Sequence, residues 1–138
     1  MSNMSLIIEM CNEFNFYPNE IKAYFIAINS QMILITDEKN KPVKMDSIII
    51  ESNDGNILGF YINENHSDGL VLLKFIFIKP KYRRRGLSTH IISKLKETSN
   101  RISIDTDKPS MIHLLHKLDF KFHKKCLNGK EICFYWNK

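Results

Sequence analysis

Hydrophobic positions change period twice along the chain. Near the N-terminus the spacing is helical: in "SLIIEMCNEF" Leu6, Met10 and Phe14 stand at i, i+4 and i+8 behind Ser5 as N-cap, and after Pro18 a second stripe runs through Ile21, Phe25 and Ile28. From "QMILIT" onward the period shortens to that of strands. This segment, "SIIIES", "NILGFYINE" and "GLVLLKFIFI" read as three or four antiparallel strands, separated by turns at "DEKNKP" and at "NDG", which calls for a positive φ. Past Gly86 the helical spacing returns in Leu87, Ile91, Ile92 and Leu95, and "RISIDT" follows as a short strand. "PSMIHLLHKLDF" then sets Met111, Leu114, Leu115 and Leu118 at i, i+3, i+4 and i+7, and "FKFHKK" and "EICFYWNK" close the chain as a hairpin around Asn128-Gly129. This order predicts an α+β chain built on a mixed sheet.

At 138 residues and 16.2 kDa the chain can bury a core without covalent staples, and the absence of repeats or flexible linkers predicts one domain over residues 1–138. Cys11, Cys126 and Cys133 form no CxxC pair, which argues against a disulfide framework and against a zinc site of usual spacing, so no metal is expected. Reduced thiols and an N-terminus without a basic, apolar leader suggest a cytoplasmic protein. The longest apolar run, Leu70 to Ile78, is far short of the ~20 residues that cross a bilayer, so no membrane association is expected. The net charge of +5 is unevenly spread: residues 1–69 carry four Lys/Arg against ten Asp/Glu, and residues 70–138 carry sixteen against five. Such a split suits two partners of opposite sign, one ligand that is anionic at one end and meets a cationic partner at the other, or solvated faces with no partner.

One place departs from the chain's habit of writing positive charge as Lys. Three of its four arginines form the tripeptide Arg83-Arg84-Arg85, followed at once by Gly86, in "FIFIKPKYRRRGLSTHIISKLKE". A strand, a cationic turn, a glycine and a helix start present free backbone N–H groups and the positive end of a helix dipole to an anion. Glycine leaves the approach open, and guanidinium forks match phosphate oxygens better than ammonium does.

The segment "IKPKYRRRGLS" resembles the signature of the GCN5-related N-acetyltransferases (GNAT): an apolar strand ending in Pro, then Arg/Gln-x-x-Gly-x-Gly/Ala, here Arg83 to Ser88. The order of elements from about residue 45 onward resembles that family too, as does "HLLHKLDF", which is similar to a helix ending in Tyr-x-x-x-Gly-Phe. The resemblance implies a mixed, mainly antiparallel sheet flanked by helices on both faces, and transfer of an acetyl group from acetyl-CoA directly to a primary amine. It also implies that Ile76, Phe77 and Ile78 meet the pantetheine arm along their backbone, and that Arg83, Arg84, Arg85, Gly86, Leu87, Ser88 and Thr89 cradle the pyrophosphate. The acceptor would be a small-molecule or peptide amine, and a homodimer is reasonable.

Four positions depart from the family pattern. Ser88 stands where the pattern has Gly or Ala, and is small enough that cofactor binding is expected to survive. Asp119 stands in the glycine slot, Lys108 in the slot of an Asn that often touches the cofactor, and Leu115 in the slot of a tyrosine that commonly protonates the leaving thiolate. Leu70 to Ile78 holds no carboxylate that could serve as base. Acyl transfer to an amine needs a base and an acid, which leaves His116 and Asp105 as catalytic candidates, with Tyr135 a weaker third. Two other functions fit the same residues: a relative that holds acyl-CoA without transferring it, and a basic acetyltransferase acting on aminoacyl-tRNA, although no stacking or recognition-helix pattern favours nucleic acid.

Overall fold

The computed structural model describes residues 3–29 and 40–138. Two helices, α1 (Asn3–Phe14) and α2 (Pro18–Asn29), precede strands β1 (Lys44–Glu51), β2 (Ile57–Asn65) and β3 (Leu70–Ile78). A single 3-10 turn (Pro80–Tyr82) leads into α3 (Leu87–Thr98), β4 (Arg101–Thr106), α4 (Pro109–Lys117), β5 (Lys121–Lys125) and β6 (Ile132–Asn137). The expected strand at "QMILIT" lies outside the described residues. Helix α1 begins at Asn3, so Ser5 sits inside its first turn and is not the N-cap.

The strands form one sheet in the order β1-β2-β3-β4-β6-β5. Every neighbouring pair is antiparallel except β3–β4, which the α3 crossover makes parallel. Helices cover both faces, as expected. On one, Ile7, Met10 and Cys11 of α1 and Ile21 and Phe25 of α2 pack on Phe60, Ile62 and Phe77. On the other, Ile92 of α3 and Leu115 of α4 pack on Leu73, Ile102, Ile104 and Phe134. Each such buried side chain contributes roughly 1.5–3 kcal/mol relative to exposure. Among the described residues, no helix is long and apolar enough to cross a membrane.

Two local devices shape the region between the cores. Ile62 pairs with Phe75 while Asn63 pairs with Leu73, so Lys74 is an extra residue in β3. The bulge reverses the facing of the strand: Phe75 and Phe77 join the α1–α2 core, whereas Leu73 joins the α3–α4 core. At the far end of α4 the chain is stopped by paired backbone bonds, Asp119 N–H to His116 O (3.2 Å) and Phe120 N–H to Leu115 O (2.9 Å), with Asp119 at φ 65°. This is a Schellman motif, and it ends the helix before the "LDF" to which the apolar stripe extends.

Candidate active site

β3 and β4 are hydrogen-bonded only from Leu70/Arg101 to Leu73/Ile104. Beyond that point β3 bends at its bulge and follows β2 to Ile78, while β4 ends at Thr106, leaving a wedge between two parallel strands. The C-terminal ends of parallel strands are where α/β arrangements commonly place ligands. Two cavities meet here. One, of about 450 Å³, is lined by Ile76, Phe77 and Ile78 and by Arg83, Arg84, Gly86, Leu87, Ser88 and Thr89. The other, of about 350 Å³, lies toward α2 and the β5–β6 hairpin and is lined by Tyr17, Glu20, Lys74, Asp105, Asp107 and Glu131 among others. Phe16, Ile76, Lys108 and Met111 line both.

The cationic turn is held by its own side chains. Arg83 Nε donates to the carbonyl of Ile78 (2.8 Å) and its guanidinium lies over the Phe77 ring, so this arginine ties the turn to the end of β3. The Arg85 guanidinium lies over the Tyr82 ring at 5.6 Å, and Arg85 does not line the larger cavity, unlike the other six residues of the 83–89 stretch. Arg84 and Gly86 both have positive φ, 65° and 77°. Gly86 is the N-cap of α3, makes no side-chain cap, and a Cβ built on it would meet nothing within 4 Å. The first amides of α3 therefore open onto free space beside two guanidinium groups, a cradle that fits an anion such as a diphosphate.

In the sequence Lys108 stands out only as a departure from a family slot; its position makes it the central polar side chain of the wedge. It is the N-cap of α4, fixed by Pro109 after it and by its N–H to Thr106 Oγ1 (3.1 Å). Its Nζ lies over the rings of Phe16 (4.8 Å) and Tyr17 (5.7 Å). Lys108 keeps an exposed surface, yet loss of water around the ammonium and the nearby Arg83 charge pull its pKa below the ordinary lysine value, against the opposing pull of Asp107. The tyrosine beside it moves the other way: burial, then Asp107, Glu131 and Glu20, raise the Tyr17 pKa. All three carboxylates line the smaller cavity together with Tyr17. The signal available in the sequence is "TDKP", a strand end followed by a proline that marks the first turn of a helix.

The catalytic candidates separate. Asp105 lines the smaller cavity. It is the direct partner of Cys133 across β4 and β6, and its carboxylate lies within 4.8 Å of the Cys133 sulfur. His116 is exposed on α4, edge-on to Phe134, and lines neither cavity. Tyr135 packs against His123 and also lies outside both. Leu115 is fully buried in the α3–α4 core, and it is Met111, one turn earlier, that α4 turns toward the wedge. The position that the resemblance aligns with the tyrosine therefore faces the core and not the wedge.

No protein-family model and no curated protein matches this sequence. Solved structures do match. A GNAT-family protein from Desulfovibrio desulfuricans superposes with a TM-score of 0.65 at 12% identity, over 98% of this chain and 92% of that one. An acetyltransferase from Thermus thermophilus gives a TM-score of 0.60 at 10% identity over 69% of this chain, and this chain spans only 65% of its length. A Bacillus subtilis acetyltransferase in complex with CoA gives 0.54 at 16% identity, over 68% and 77% of the two chains.

Proposed function

From the GNAT fold of this chain, we propose that it is an acetyl-CoA-dependent N-acetyltransferase that moves an acetyl group directly to a primary amine, and that it works in the cytoplasm. The observation that carries this reading is the wedge: a parallel strand pair that comes apart beside a helix N-terminus with an open, glycine-capped cradle. Arg83, Arg84 and the amides of Leu87, Ser88 and Thr89 would hold the diphosphate, and the free edge of Ile76 to Ile78 would receive the pantetheine arm as a strand. When bound, acetyl-CoA supplies an activated acetyl thioester.

The acceptor belongs in the smaller cavity, whose four carboxylates, Glu20, Asp105, Asp107 and Glu131, outnumber its three lysines, Lys74, Lys108 and Lys130, and favour an amine that carries positive charge. Such an amine must lose a proton before it can act as a nucleophile. Lys108 is the group placed to accept it, because its Nζ stands at the wall common to both cavities and its lowered pKa increases the neutral fraction near neutral pH. Asp105 shapes the acceptor side, and His116, which lines neither cavity, is given no role in this reading.

The experiment is a calorimetric titration with acetyl-CoA followed by a thiol-release assay over neutral and cationic primary amines. Saturable one-site binding and faster release with cationic amines are expected, and an absence of binding would remove the reading. Binding without release above the protein-free rate would leave an acyl-CoA-binding protein. Lys108→Met should retain binding and lower the rate by about 10²–10⁴-fold, the usual range for a lost acid–base group, with loss of the alkaline rise in the pH profile.

A further inference from the structure

Cys126, Cys133 and Asp105 come from three neighbouring stretches of the sheet: the residue after β5, the second residue of β6 and the fifth of β4. Asp105 and Cys133 are direct cross-strand partners, and Cys126 lies within reach from the other side of β6, its Sγ 2.9 Å from that of Cys133. One donor atom from each residue lies within 4.8 Å of the other two. Their face of the sheet is the one away from α3 and α4, since Ile102, Ile104 and Phe134, which alternate with them, pack into that core. Among the described residues, helices α1 and α2 pack on β1, β2 and β3, and no helix packs over the triad's face of β4 and β6.

We propose that this triad is a binding site for a thiophilic divalent cation of the zinc class, held by two thiolates and one carboxylate. Soft sulfur donors select zinc over magnesium or calcium, and three protein ligands leave one position open. Of the three ligands, Asp105 also lines the smaller cavity, together with Asn128 and Glu131, so the site adjoins that cavity. The hairpin that carries the cysteines is preorganised: Asn128 Oδ1 accepts the N–H groups of Lys130 and Glu131 at 2.9 and 3.0 Å, and Asn128 Nδ2 donates to Glu131 Oε1 at 2.9 Å. Glu131 thereby adds fixed negative charge beside Cys126.

A direct disulfide fits this geometry less well. Cys126 N–H bonds to Glu131 O and Cys133 pairs with Lys124, so the two cysteines are diagonal and not opposite across the hairpin. Diagonal neighbours generally stand about 7–8 Å apart at Cα, above the roughly 4.4–6.8 Å usual for a disulfide. A tetrahedral ion with metal–sulfur bonds of about 2.3 Å would instead hold the sulfurs roughly 3.8 Å apart, an opening that side-chain rotation can supply.

The test is independent of acyl transfer. The full chain, stripped by a chelator, reduced and with three titratable thiols confirmed, is titrated with Co²⁺ and then with Zn²⁺. One equivalent of Co²⁺ should produce near-ultraviolet sulfur-to-cobalt absorption and intense tetrahedral bands in the visible, both displaced by Zn²⁺. Cys126→Ser and Cys133→Ser should lose the sulfur band, and Asp105→Asn should weaken binding by at least about tenfold, with circular dichroism confirming that each variant folds. Reduced, folded protein that gives no sulfur-to-cobalt band overturns the site, as does a band unchanged in both serine variants.

Discussion

Asp119 holds φ 65° at the position after the α4 C-cap, where the Schellman bonds demand a left-handed residue. The resemblance put glycine in this slot, and the structure supplies the reason: a residue without Cβ takes this conformation at no steric cost. Asp119→Gly should therefore stabilise the protein by about 0.5–1 kcal/mol, read as a higher midpoint in thermal or urea unfolding. Gly86 shows the converse, a glycine whose missing side chain makes room for no neighbour, since nothing in the protein lies where its Cβ would be. Gly86→Ala should cost about 1 kcal/mol of stability through its positive φ and weaken acetyl-CoA binding, separable by comparing unfolding with calorimetry.

Among elements, the contact that matters most for the wedge is β2 against β3. A Cβ on Gly59 would lie 2.0 Å from the carbonyl oxygen of Phe77 and 3.0 Å from Ile78 Cα, both backbone atoms of β3, whose opposite edge borders the wedge. Gly59→Ala is expected to cost roughly 3 kcal/mol, the upper end for overpacking, and to reduce acetyl-CoA binding by displacing β3. Helix α2 is tied to β2 by Tyr24, whose hydroxyl donates to the buried Glu64 carboxylate at 2.6 Å. Tyr24→Phe leaves that carboxylate without its donor and should cost about 2–3 kcal/mol near neutral pH. Burial first, then the bond to Glu64, raise the Tyr24 pKa above its ordinary 10.0, so the folded state favours the protonated phenol. Its contribution is complete below pH 10.0 and declines as pH rises above it, so wild type and variant should converge in stability under alkaline conditions.

For the whole molecule, the charge division runs with the fold. The acidic first half supplies α1, α2, β1 and β2, and the basic second half supplies β3 to β6 with the cationic turn. The two meet at the wedge, where Glu20 of the first half and Asp107 and Glu131 of the second face the smaller cavity while Arg83 and Arg84 face the larger. A highly anionic ligand drawn by this field should bind less tightly as salt rises: acetyl-CoA affinity is expected to fall severalfold between about 50 and 200 mM salt, measured by calorimetry at constant pH. Affinity independent of salt would mean that the cationic turn does not meet the phosphates.

The local chemistry of the sequence was enough to place nearly all the described elements and the cradle after Pro80, because hydrophobic period, proline, glycine and turn residues act over a few positions. Its errors fell at helix ends, at Ser5 and in the "LDF" segment, where capping bonds and not the apolar stripe decide the boundary. Tertiary structure alone decided the rest. Whether β3 and β4 part company depends on a bulge and a register, and whether Lys108, Asp105, Cys126 and Cys133 meet anything depends on sheet order and on how α4 is rotated. These are relations between residues far apart in the chain, and no local period encodes them.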